Sequence, residues 1–170
     1  IVEKELKALN KLLNVAKGIC TTVLGGAKIS DRLEAIDTLI ANNRADKVLL
    51  TGTVGNVFLK ASGQLDAKLG IDDEVKYVKQ AKKLLTNHSD VFEMPKDVAI
   101  MSNDSRVEVL IKELKPNDKI LDIGSMTIDN YSRIIRSSGT IFMNGPPGMF
   151  EDNRFSKGTE ELLRAMTSSL

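Results

Sequence analysis

Short apolar runs alternate along this chain with longer stretches in which apolar positions recur every three or four residues. The runs Ile19–Leu24, Lys47–Gly52 and Ile120–Gly124 read as short buried strands, and Val91–Met94, Val98–Met101 and Thr140–Asn144 as further short strands. Between them, Leu33, Ile36, Leu39 and Ile40 predict a helix to about Asn43, and Val54 to Ala61 predict another, closed by Ser62-Gly63. Asp72-Asp73-Glu74 open a helix that turns Val75, Val78, Ala81, Leu84 and Leu85 inward. Helices also follow at about Thr127 to Ser137 and from Ser156, with Leu162, Leu163 and Met166 apolar. Val2, Leu6, Leu9 and Leu13 make residues 1–15 a one-sided amphipathic helix that ends before Gly18. In Arg106 to Leu114 the alternation of Val107, Val109 and Ile111 favours an edge strand or hairpin.

This alternation predicts an α/β fold, a Rossmann-like three-layer sandwich with a mostly parallel sheet and helices on both faces. At 170 residues the chain is expected to form one domain, residues 1–170. Right-handed crossovers bring the strand carboxyl ends to one side, where ligands bind in such folds. Glycines 25–26, 52 and 145–148 all follow strands, so one mouth is expected to collect them.

The stretch Leu24-Gly25-Gly26-Ala27-Lys28-Ile29-Ser30-Asp31-Arg32 joins a strand to a helix through a glycine turn and two cations. Asp31 followed by Glu34 has the form of a capping box. Glycines admit close backbone approach, and a helix start suits an anion. Lys28 and Arg32 share a face if the helix reaches back to Lys28. Taken alone, the stretch reads equally as a phosphate cradle or as a Gly-Gly turn before a solvated helix face, since it lacks the Walker spacing.

Composition narrows the classes. Hydrophobic content of 42% with 28% charge is ordinary for a globular chain, and a net charge of +1 gives no footprint for nucleic acid. No apolar run is long enough to span a membrane. The single cysteine, Cys20, excludes an internal disulfide and reads as a buried, inert thiol. The single histidine, His88, reads as a surface loop residue, which leaves no triad or histidine-based zinc site. No metal-ligating residue is singled out. The chain opens on Ile1, which reads as a fragment or a processed chain.

The Gly25-Gly26 stretch closely resembles the motif that opens the nucleotide-binding domain of phosphoglycerate kinases, with Arg32 in the manner of the archaeal branch. Phe142-Met143-Asn144-Gly145-Pro146-Pro147-Gly148-Met149-Phe150-Glu151 resembles a second signature of that family, and Lys157-Gly158-Thr159 fits the segment after it. Leu121-Asp122-Ile123-Gly124-Ser125-Met126-Thr127 resembles a third family segment, with Ser125 where the family has proline. It is also similar to the first motif of adenosylmethionine-dependent methyltransferases, although Met126 stands where that motif needs glycine. At Thr51-Gly52-Thr53 only the central glycine of the family's three is kept.

The resemblance implies the ADP/ATP-binding domain of an enzyme that moves a phosphoryl group between 1,3-bisphosphoglycerate and ADP, giving 3-phosphoglycerate and ATP. It implies that Lys28 contacts the transferring phosphoryl and Arg32 the α and β phosphates. Asn144 and Pro146 would hold nucleotide, Glu151 the ribose hydroxyls, and Gly25, Gly26 and Gly52 the adenine region. Ala27, Thr53, Gly124 and Gly145 join the nucleotide-binding set. Magnesium would ride on the ATP or ADP phosphates. The family's 3-phosphoglycerate site and its GGG-D-(S/T) segment have no counterpart here, so the domain reads as incomplete at its C-terminal side, with 1–15 as the interdomain helix. The chain is expected to bind adenine nucleotide without turning over, to expose apolar surface that favours self-association, and to be cytoplasmic. Two alternatives are a non-catalytic nucleotide-binding module and a methyltransferase.

Overall fold

The computed structural model describes residues 18–42 and 44–168. The helix expected over 1–15 lies outside the described residues. The parallel sheet is built from β1 (Cys20–Leu24), β2 (Lys47–Leu50), β3 (Phe92–Glu93) and β7 (Thr140–Asn144), in the order β3-β2-β1-β7. Leu24 pairs with Leu50 on one side and with Asn144 on the other, so three strands end level.

Side chains alternate across this sheet, as strand geometry requires. Leu24, Val48 and Leu50 face one layer, formed by α1 (Ile29–Ala41), α2 (Gly52–Ala61) and α3 (Glu74–Asn87). There Phe58 packs on Phe92 with ring centroids 5.0 Å apart. Val23 and Leu49 face the opposite layer, α4 (Ser125–Arg136) and α5 (Lys157–Thr167), against Tyr131, Ile135 and Leu162. The fold is a three-layer α/β sandwich with helices on both faces.

The remaining strands depart from the all-parallel pattern. β4 (Asp97–Ser102), β5 (Ser105–Leu110) and β6 (Ile120–Ile123) form a separate antiparallel sheet in the order β5-β4-β6. Asn103 and Asp104 both adopt positive φ, 47° and 56°, which makes a tight two-residue hairpin turn between the paired Ser102 and Ser105. This settles Arg106 to Leu114 as a hairpin strand to Leu110, followed by a 3-10 turn at Ile111–Glu113. The sheet docks through Val98 onto Leu59 of α2. The expectation that every strand points its carboxyl end at one mouth therefore fails for β6.

Local starts also differ. The capping box at Asp31 and Glu34 does not form: α1 begins at Ile29, its cap residue is Lys28, and no side chain caps it. Asp31 instead sits inside the first turn and accepts from the Ser30 hydroxyl, at 3.2 Å. Lys28 is thus outside the helix and does not share a helical face with Arg32.

Candidate functional site

Three loops leave the level ends of β1, β2 and β7 and pack backbone to backbone. Gly25 N–H donates to Asn144 O at 3.1 Å, and Gly26 N–H to Pro146 O at 3.0 Å. Thr51 donates to Leu24 O from both its backbone, at 2.8 Å, and its hydroxyl, at 2.9 Å. Gly52 and Gly145 have positive φ, and a methyl on either would come within 3.0 Å of the Gly25-Gly26 backbone. The glycines at 25, 52 and 145 are therefore needed for loop-on-loop contact. Gly26 differs: its φ is +79°, yet nothing lies closer than 3.7 Å to where its Cβ would be.

Against these loops lies a cleft of about 500 Å³, the size of a small-molecule site. Gly26, Ala27, Gly52, Thr53, Pro146 and Glu151 of the expected site line it. A second cavity of about 530 Å³ adjoins it at Ala27 and is lined by Lys28, the first turn of α1, Gly70, Asp72 and Tyr77. Lys28 is exposed, and among the described residues no hydrogen bond or ion pair engages it. Arg32 is half-buried beside Gly26, with Nε donating to Gly25 O at 3.2 Å. Asn144 and Gly145 support the loops from below and do not line the cleft.

Gly124 is not brought to the cleft. β6 meets the cleft through Lys119 to Asp122, its opposite end, because it runs in the antiparallel sheet. At Gly124 a methyl would strike the Asp97 carboxylate. That carboxylate accepts from Met126 N–H at 3.0 Å, Thr127 N–H at 2.7 Å and the Thr127 hydroxyl at 2.7 Å, so the start of α4 already has its anion. The glycine turn that resembled a cofactor cradle is a packing contact.

The expected site left out Asn56, residues 119–122 and residues 147–150, which complete the cleft wall. Phe150 and Met149 stand exposed next to a recognised motif, and that exposure is invisible to periodicity. Behind the wall, carboxylates of the antiparallel sheet anchor both rear helices. Glu108 accepts from Ser125 N–H at 3.0 Å and its hydroxyl at 2.9 Å, and pairs with Arg106 and Lys157. Burial alone would raise the Glu108 carboxyl, but the Arg106 and Ser125 hydrogen bonds outweigh it and bring its pKa down to about 2. Tyr131, fully buried, lies within hydrogen-bond reach of Leu50 O at 3.0 Å and Glu93 O at 2.7 Å, at the ends of β2 and β3. Burial pushes its phenol well up.

Cys20 is buried, and burial raises its thiol pKa, in keeping with an inert residue. His88 is half-buried at the end of α3, lining a groove with Asp37 and Lys76 away from the cleft. Among the described residues, no group of three or more His, Cys, Asp or Glu is placed to hold a metal ion, and no helix is long and apolar enough to cross a membrane.

Level parallel strands, glycine and proline loops at their carboxyl ends and a cleft beyond them define a doubly wound α/β domain of ligand-binding type. The phosphoglycerate kinase family model matches residues 1–170. Phosphoglycerate kinases of Methanobacterium bryantii and Methanothermus fervidus are 41% and 42% identical to it, over 99% of the chain in both cases. The crystal structure of phosphoglycerate kinase from Pyrococcus horikoshii OT3 matches with a TM-score of 0.89 at 32% identity over 98% of the chain. The structure of phosphoglycerate kinase from Coxiella burnetii matches with a TM-score of 0.85 at 28% identity over 99%. The chain belongs to the phosphoglycerate kinase family. It spans 42% of the length of those two curated relatives and 44% of each of the two solved chains.

Proposed function

We propose that residues 1–170 are the adenine-nucleotide-binding domain of a phosphoglycerate kinase, which transfers a phosphoryl group between 1,3-bisphosphoglycerate and ADP. The observation that supports this is the pair of cavities adjoining at Ala27. A nucleoside fits the first, walled by Gly26, Gly52, Thr53 and Pro146, with Glu151 on its rim. A phosphate chain leaving it at Ala27 reaches Lys28 and the uncapped start of α1 in the second, and Arg32, which lines neither cavity, stands beside Gly26 at the junction. Magnesium enters as part of the nucleotide substrate. The acyl phosphate is already activated, so the transfer needs alignment and charge stabilisation in preference to a general base. Lys28 and Arg32 are the groups assigned to that charge.

Titration calorimetry of the chain with ADP, adenosine and adenosylmethionine tests the reading. ADP is expected to bind more tightly than adenosine, because two cations face its phosphates, and 2′-deoxy-ADP more weakly than ADP, because Glu151 loses a hydroxyl partner. Adenosylmethionine binding as tight as ADP, or no ADP binding, overturns the assignment.

A further inference from the structure

The segment joining β7 to α5 is gripped at both ends by one buried carboxylate. Asp122, on β6, has no exposed side-chain surface. Its Oδ2 accepts Gly158 N–H at 2.8 Å, at the start of α5, and faces Arg106 Nη2 at 3.5 Å. Among the described residues its Oδ1 has no hydrogen-bond partner, and it lies against both Gly148 and Gly158, where an added methyl would approach it closer than 3.0 Å. One residue earlier, Leu121 O accepts Met149 N–H at 2.8 Å. Between the two grips the chain carries Met149, Phe150 and Glu151, all exposed on the cleft rim.

A cap for α5 requires only Oδ2. A buried carboxylate oxygen left without a partner is costly, and here it serves as the surface on which two glycines seat the loop. We infer that Asp122 is a positioning residue: it pins the loop at Gly148 and Gly158 so that Glu151 is held at the edge of the cleft, where the ribose hydroxyls of a bound nucleotide would lie. This rests on the nucleotide reading above. Asp122 acts through the loop and touches no reacting atom. Glu151 is three residues from the nearer grip, so a displacement of about 1 Å at Gly148 passes to its carboxylate, enough to undo a two-hydroxyl contact.

Two variants test the pin independently. Asp122→Ala removes the carboxylate, and Gly148→Ala keeps it but drives a methyl against its Oδ1 and against Leu121 O, so that the loop must shift. ADP and 2′-deoxy-ADP are titrated against each variant, with folding checked by circular dichroism. The unmutated chain should prefer ADP by about tenfold, the effect of one charge-assisted hydrogen bond. Both variants should bind 2′-deoxy-ADP within about twofold of the unmutated chain and ADP no better, so that the preference disappears. Asp122→Asn keeps the shape and one acceptor, and should retain most of the preference. In the unliganded chain, Met149 N–H should exchange with solvent at least about tenfold faster in both pin variants, with β1 amides unchanged. Equal weakening of both sugars, a preference that survives Gly148→Ala, or unchanged Met149 exchange overturns the inference while ADP binding stands. Loss of ADP binding in the unmutated chain overturns the nucleotide reading, and this inference with it.

Discussion

Replacing Arg32 by lysine keeps the charge and removes the fork, which makes it a sharper test of phosphate binding than removing the side chain. A guanidinium has five N–H donors. In the structure Nε spends one on Gly25 O at 3.2 Å, which leaves the two terminal nitrogens for a ligand passing Gly26. A lysine at the same place has one nitrogen, and it cannot both brace Gly25 and meet a phosphate in a fixed direction. The loss should equal one charged hydrogen bond, about 1.5–3 kcal/mol, or roughly ten- to hundredfold in ADP affinity. Arg32→Ala should lose the same or more. The brace on Gly25 adds only about 0.5–1.5 kcal/mol to folding, so both variants should stay folded. Calorimetric titration of ADP, with adenosine as the control that lacks phosphate, measures the effect. Adenosine affinity should not change. ADP affinity in Arg32→Lys equal to that of the unmutated chain, or adenosine weakening in parallel, would refute the phosphate role.

Two predictions concern the carboxylates behind the cleft. Asp97→Ala strips the start of α4 of the acceptors for Met126 N–H and Thr127 N–H, while the Thr127 hydroxyl keeps Asp97 O at 2.9 Å, and should cost about 2–4 kcal/mol. That is a large part of a domain's stability, readable as a lower urea midpoint at unchanged slope; a loss below about 1 kcal/mol would mean that water replaces the carboxylate freely. Glu108 has a folded pKa of about 2 against 4.5 for a free carboxyl, so its contribution is complete above about 4.5 and vanishes as pH falls toward 2. The shift corresponds to about 3 kcal/mol unscreened, and partial solvent contact reduces this to about 1–2 kcal/mol. Glu108→Gln should therefore be less stable than the unmutated chain at pH 7 and equal to it near pH 2, by urea unfolding at each pH. Asp122, whose carboxyl burial raises, is present in both proteins and leaves the comparison intact. A gap between the two that does not change with pH would show that packing, and not charge, is what Glu108 contributes.

The sequence by itself determined the layers of this protein and the family to which it belongs. Strand runs such as Ile19–Leu24 and helix faces such as Leu33-Ile36 are written in the spacing of apolar residues, because burial depends on which face a residue takes, and spacing sets the face. The two motifs around Gly25-Gly26 and Asn144-Gly145-Pro146 were legible for a similar reason: glycine and proline restrict the backbone locally. Tertiary structure alone decided how β6 runs. Its apolar run suits either strand direction, and the choice came from its antiparallel pairing with β4, Val98 opposite Ile123, and from Val98 docking on Leu59. That choice sent Gly124 to Asp97 and brought Leu121 and Asp122 to the cleft wall. The capping of α4 shows the same division. Its start at Ser125 depends on Asp97 and Glu108, which lie 28 and 17 residues away, and no window of local sequence contains that hydrogen-bond geometry.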